Sequence, residues 1–175
     1  MFQLDTDRLL IRNWEKGDWE HFKPIASDPL MLRYIGDGRT WSKERTRNFV
    51  DRQIENYKKQ KFCRWKLVHK ESNSLMGFCG LGYFGNTGEI EIGWWVAREF
   101  WGQGLASEAA AAVMRYGLDE LAIKRLISVA RPENLPSIRI MEKLGFHEHE
   151  RTTCQALGVP YPGIFVVVYA MDAPV

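Results

Sequence analysis

The segment "GEIEIGWWVAREFWGQGLASEA", Gly88 to Ala109, concentrates two kinds of residue that can do chemistry. Glu89 and Glu91 alternate along an apolar run. With a period of two, Glu89, Glu91, Gly93 and Trp95 share one face, and Ile90, Ile92, Trp94 and Val96 share the other. Paired carboxylates on one face of a central strand are costly unless that face is wet or functional. Held near an amine, directly or through a water, such a carboxylate takes the proton that keeps the amine unreactive at neutral pH. Then come Gly102 and Gly104, between the strand-like run and an alanine-rich one. Glycines there allow a tight turn and close approach by a ligand. The first helical amides beyond them are unpaired and backed by the helix dipole, an arrangement that binds phosphate. Each feature also has a plain structural reading: solvent-facing acids near a strand end, and a helix entry that needs flexible residues.

Known phosphate loops narrow the ligand. A triphosphate-binding loop needs Gly-Lys-Ser/Thr, and the chain continues Gly104-Leu105-Ala106. A dinucleotide fingerprint needs a third glycine or alanine where Ser107 stands and an acidic residue ending the next strand, where "LISVAR" has none. Neither reading holds.

The elements that must position these residues alternate between strand and helix, without repeats or low-complexity linkers. That argues for one layered α/β domain over residues 1–175. Gln3 to Arg12 reads as a first strand. Asp28-Pro29 starts a short helix that Gly36 stops, and Ser42 caps a longer one whose Phe49, Val50, Ile54 and Tyr57 fall at helical spacing. Three strands follow, Phe62 to His69, Leu75 to Phe84 and Glu89 to Val96, joined by turns short enough for antiparallel hairpins. Leu105 to Leu118 is helical, with Leu105, Ala109, Val113 and Tyr116 on one face, and Arg125 to Ala130 is the next strand. Strand, helix and strand in that order form a right-handed crossover, so Arg125 to Ala130 runs parallel to Glu89 to Val96. A helix at Asn134 to Leu144, stopped by Gly145, precedes closing strands at Glu148 to Thr153 and Ile164 to Met171. The expected sheet is mixed and mostly antiparallel.

Composition bounds the function. The 175 residues, 45% hydrophobic, suffice for one core. Twenty-four Lys and Arg against 22 Asp and Glu give a net charge of +2, so neither nucleic acid nor an anionic membrane is an expected partner. The basic stretch "YKKQKFCRWK" reads better as a solvated helix end and an alternating strand than as a nucleic-acid patch. Cys63, Cys79 and Cys154 lack zinc or disulfide spacing, and His21, His69, His147 and His149 show no metal spacing. The amino terminus has no signal-like apolar core. The expectation is a cytoplasmic protein, monomer or homodimer, without a metal.

Three separated motifs then resemble one superfamily. "WGQGLA", Trp101 to Ala106, is similar to the acetyl-CoA pyrophosphate loop of the GNAT N-acetyltransferases, Gln/Arg-x-x-Gly-x-Gly/Ala, with Gly104 and Ala106 in its small positions. "ENLPSIRIMEKLGF", Glu133 to Phe146, resembles the superfamily's second cofactor segment. "TDRLLIRNW", Thr6 to Trp14, together with "EIGWWVAREFWGQGLASEA" resembles the subgroup of RimJ and RimL ribosomal-protein N-terminal acetyltransferases. The resemblance implies the GNAT fold, with helices on both faces of a sheet splayed between its two parallel central strands. It implies acetyl-CoA as cosubstrate and direct attack by an amine in a ternary complex.

Residue by residue, the resemblance implies that Glu91, at the Glu of the family's Glu-Ile-Gly strand, is the base, with Glu89 in reserve. Trp94, Trp95 and Val96 would offer backbone hydrogen bonds to the pantetheine arm, and an amide there could face the oxyanion. Core packing is the alternative for the Trp rings. The stretch Trp101, Gly102, Gln103, Gly104, Leu105, Ala106 and Ser107, with Asn134, would serve the cofactor's far end. Trp101 stands where the consensus has Gln or Arg, which leaves that binding to amides of Gln103, Gly104 and Ala106. Many members carry a proton-donating Tyr where this chain has Met141, and a Met cannot donate. The subgroup points instead to Ser137 for orienting or protonating the thiolate, although a helix-start hydroxyl can also bond its own backbone. The acceptor would be a protein or peptide N-terminus or a small amine. A non-catalytic acyl-CoA sensor is the remaining alternative.

Overall fold

The computed structural model describes residues 2–174. Strands β1 (Gln3–Asp5) and β2 (Leu9–Arg12) lead into helices α1 (Asp18–Phe22), α2 (Pro29–Leu32) and α3 (Lys43–Gln60). Strands β3 (Arg64–His69), β4 (Ser74–Tyr83) and β5 (Ile90–Val96) follow, then helix α4 (Leu105–Arg115), strand β6 (Arg125–Ala130), helix α5 (Leu135–Lys143) and strands β7 (His147–Thr153) and β8 (Phe165–Asp172). The eight strands form one mixed sheet in the order β1-β2-β3-β4-β5-β6-β8-β7. Only β5 and β6 pair in parallel, as the helical crossover requires.

Local chemistry explains most boundaries. Asp28 caps α2, its carboxylate accepting from the Leu30 amide at 3.0 Å, and Pro29 occupies the first turn. Ser42 caps α3 by accepting from the Arg45 amide at 3.1 Å. Alternation along β4 and β5 divides the core between the two sheet faces. Leu105, Ala109, Ala110 and Val113 of α4 pack with Met76, Cys79, Leu81 and Ile92. On the opposite face, Phe22 of α1 and Phe49 and Val50 of α3 pack with Phe78 and Trp95. The cysteines are free and buried.

Three expectations need correction. The strand anticipated over Gln3 to Arg12 is a hairpin, because the Thr6 hydroxyl accepts from the Leu9 amide at 3.0 Å and the Thr6 amide donates to the Leu9 carbonyl at 3.0 Å. That local bonding turns the chain where apolar alternation alone suggested continuity. The short helix ends at Leu32, before Gly36, and the chain proceeds through turns. The helix expected to reach Leu118 is α-helical only to Arg115 and continues as a π-helical turn, Tyr116–Glu120, in which Gly117 packs against Leu81. Helix α1 was not anticipated; its five residues carry no side-chain cap and too little length for a period.

Candidate active site

Strand β5 forms the centre of the site. Glu91 points to the α1/α3 face and is 7% exposed. The Arg64 guanidinium, at the start of β3, pairs with its carboxylate, and the Val129 amide on β6 donates to it as well. Burial pushes the Glu91 carboxyl above its ordinary value, while the Arg64 charge and both hydrogen bonds pull the other way. A carboxylate lifted toward neutral pH is a stronger base than an exposed one. Glu89 is placed elsewhere. It lies just outside β5, its Oε1 3.3 Å from Arg125 Nε, and borders a separate surface depression beside Leu121 to Arg125. The two acids therefore do not share a site.

Beyond Glu91 the parallel strands separate. The only registered pair between β5 and β6 is Glu91 with Ile127. Backbone groups alternate sides along a strand, and two contacts fix the parity: the Ala97 amide donates to Met76 next to β4, whereas the Ile92 carbonyl accepts from Ser128 Oγ on β6 at 3.0 Å. The backbones of Trp94 and Val96 thus turn to the gap, and that of Trp95 turns to β4. Trp95 contributes its ring instead, 5.1 Å from Phe78 and 4.7 Å from Trp41 between centroids. The Val96 carbonyl already accepts from Trp101 Nε1 at 2.7 Å. Trp101 therefore braces the end of β5, a contact that its place in the glycine motif did not reveal.

The glycine turn lies past that brace. Gly102 and Gly104 both have left-handed backbones, with φ of 73° and 75°. A Cβ at Gly102 would meet nothing within 4 Å, and one at Gly104 only Arg8 Nη2 at 3.7 Å, so both glycines face open space. No side chain caps α4, and the first helical bond is from the Glu108 amide to the Gly104 carbonyl, 3.0 Å. The amides of Leu105, Ala106 and Ser107 consequently have no partner within the helix. Arg8 sets the turn's orientation by donating to the Gln103 carbonyl at 2.8 Å, while Glu108 holds Arg8 at 2.7 Å. An unpaired strand edge that leads toward an uncapped helix start and two open glycines fits an extended ligand ending in phosphates.

Across the gap stands α5. Asn134 caps it, Oδ1 accepting from the Ser137 amide at 3.4 Å, and among the described residues the Ser137 hydroxyl has no partner. Glu91, Trp94, Trp95, Asn134 and Ser137 line one cleft of about 590 Å³. Val96 and the stretch from Trp101 to Ser107 are not among its walls. The expected site residues thus divide between a cleft and a neighbouring turn, with Glu89 in neither.

Several cleft residues escaped the sequence reading: Arg45 and Arg52 on α3, Arg64, Ser128, Arg131 and Tyr161. A signal existed for the first two, since Arg45 and Arg52 are seven residues apart with Phe49 between them, which puts all three on one helix face. Arg64, Arg131 and Tyr161 come from a strand start, a strand end and a loop, and nothing local marks them. No group of three or more metal-ligating residues exists among the described residues, and no helix among them is long and apolar enough to cross a membrane.

The chain is also similar to known proteins. The model of an acetyltransferase (GNAT) domain matches residues 8–147. A Bacillus subtilis protein named as the uncharacterized N-acetyltransferase YnaD is 34% identical over 143 residues, 81% of each chain. The solved structure of a GNAT-family acetyltransferase from Bacillus anthracis is 29% identical and covers 98% of both chains at a TM-score of 0.80. RimL, described as a ribosomal L7/L12 alpha-N-protein acetyltransferase in complex with coenzyme A, shares the fold at a TM-score of 0.81 and 18% identity over 98% of both chains.

Proposed function

The chain belongs to the GNAT acetyltransferase family, whose members use acetyl-CoA, and on that premise we propose that it moves an acetyl group to a primary amine bound beside Glu91. The observation that carries this reading is the convergence of Glu91, Ser137 and the unpaired edge of β5 on one cleft. Acetyl-CoA supplies the acetyl thioester. The Trp94 and Val96 backbones flank its pantetheine arm, and the amides of Gln103, Gly104, Leu105, Ala106 and Ser107 receive its phosphates, with Asn134 setting the α5 edge. The Glu91 carboxylate takes the proton of the entering ammonium, directly or through a water, so that the amine attacks as a neutral nucleophile. The Ser137 hydroxyl, free of partners among the described residues, hydrogen-bonds the departing sulfur. Arg64 and the Val129 amide hold the Glu91 carboxylate in place.

Two acceptors fit a primary-amine reading. Likeness in fold to RimL supports a peptide N-terminus. Contacts that join the cleft walls, Arg45 to the Tyr161 hydroxyl at 2.7 Å and Arg131 to the Gly36 carbonyl, support a small amine. Calorimetric titration with acetyl-CoA, NAD and ATP, followed by free-thiol release with a pool of peptides and amines, tests the proposal. Acetyl-CoA should bind and thiol should appear. Binding of NAD without acetyl-CoA would refute the cofactor, and tight acetyl-CoA binding with no thiol from any amine would leave a sensor domain.

A further inference from the structure

The whole chain is nearly neutral, with a net charge of +2, but its cleft is not. Four arginines, Arg45, Arg52, Arg64 and Arg131, line it against the single carboxylate of Glu91. Arg64 is neutralised by Glu91. The other three have no carboxylate within ion-pair distance among the described residues. Arg45 donates to the Tyr161 hydroxyl and lies over the Trp41 ring, its Cζ 4.6 Å from the centroid. Arg131 donates to the Gly36 carbonyl, and its Nε is buried with no hydrogen-bond partner. Gly36 is itself in contact with the Tyr161 ring, where even a Cβ would come within 2.7 Å. Arg45 contacts Tyr161 directly and Arg131 reaches it through Gly36, each held by neutral groups that fix its position and leave its charge unopposed.

Unopposed guanidinium groups in a partly enclosed cleft attract and orient carboxylate or phosphate. The cofactor's own phosphates do not account for them, because the glycine turn and the start of α4 are not among the cleft walls. We infer that the acceptor is a small primary amine carrying a carboxylate or phosphate group, which Arg45, Arg52 and Arg131 bind while the amine lies at Glu91. The inference rests on the acetyltransferase reading and deepens it. A cleft of about 590 Å³, whose walls are joined by the Tyr161 and Arg131 contacts, suits a small molecule.

Matched acceptors test it: amino acids against their carboxamides, phosphoethanolamine against ethanolamine, and a short acidic peptide, with kcat/KM read from thiol release. The anionic member of a pair should exceed its neutral partner roughly ten- to hundredfold, the range of one or two charge-assisted hydrogen bonds, with a KM that rises with salt. Whichever arm dominates identifies the anion as carboxylate or phosphate. Arg45→Gln should erase the preference and Arg45→Lys restore part of it, which a purely structural role for Arg45 would not allow. Arg52→Gln, at an exposed position, should weaken it without a folding penalty. Neutral amines used as well as or better than anionic ones would overturn the inference and leave the acetyltransferase reading standing. Preference for the peptide would overturn the small-molecule acceptor. Silence across the panel with acetyl-CoA bound would remove the underlying reading too.

Discussion

Replacing Glu91 by Gln keeps the side chain's shape and removes its capacity to take a proton. A free α-amine has a pKa near 7.8, so only about a twentieth of it is neutral at about pH 6.5 and nearly all of it at about pH 9. The Gln variant can act only on the neutral fraction. Its kcat/KM relative to the unchanged enzyme should therefore climb roughly twentyfold across that range, beneath an overall loss of about a hundredfold or more, as for removal of a general base. Stability gives an independent readout. Breaking a buried ion pair costs about 3–5 kcal/mol when the remaining charge is stranded. Arg64 keeps 22% side-chain exposure, and the burial of Glu91 disfavours its own charge, so a loss near 1 kcal/mol is expected, or a fall in Tm of about 2–4 °C. Because the folded carboxyl is raised, folding favours its protonated form. The unchanged protein should then lose stability as pH rises from the ordinary value of 4.5 through the raised one, a dependence the Gln variant lacks. Thiol release between about pH 6 and pH 9 and thermal melts over about pH 4 to pH 8 test both points. A constant ratio of variant to unchanged rate would refute Glu91 as the base and leave that step to a water.

Three further outcomes are expected. Ser137→Ala should lower kcat by less than about tenfold, since a thiolate departs without an acid; a change in acetyl-CoA Kd with kcat intact would instead make Ser137 a binding residue. Gly104→Ala forces a side chain into a left-handed backbone, costing about 1–2 kcal/mol by thermal melt, and should weaken acetyl-CoA more than it weakens the fold. Affinity unchanged by titration would remove the turn from the phosphate site. Gly77→Ala would bring a Cβ within 1.9 Å of the Trp95 carbonyl, at a φ of 143°, and should cost about 3 kcal/mol or more in urea unfolding. A folded variant of ordinary stability would contradict the register of β4 against β5.

Most of the fold was legible because it is written in local pattern. Ser42, Asp28 and Asn134 announce three helix starts through their own hydrogen bonds, and alternation marks β3 to β6 to within a residue or two. The parallel pairing of β5 and β6 followed from the crossover, whose hand is nearly invariant. Motif spacing likewise pointed to the family, whose domain model matches residues 8–147. Tertiary structure decided what depends on pairs distant in sequence. Period two gave Glu89 and Glu91 equal standing, and only their partners, Arg125 for one and Arg64 for the other, assigned them to different places. Strand parity separated the Trp94 and Val96 backbones from that of Trp95. Charge in the cleft is assembled from α3, the ends of β3 and β6, and the loop holding Tyr161, segments that meet only in the folded chain. No local period records which arginines will face the same cleft, because electrostatic fields depend on distance in space and are indifferent to separation along the sequence.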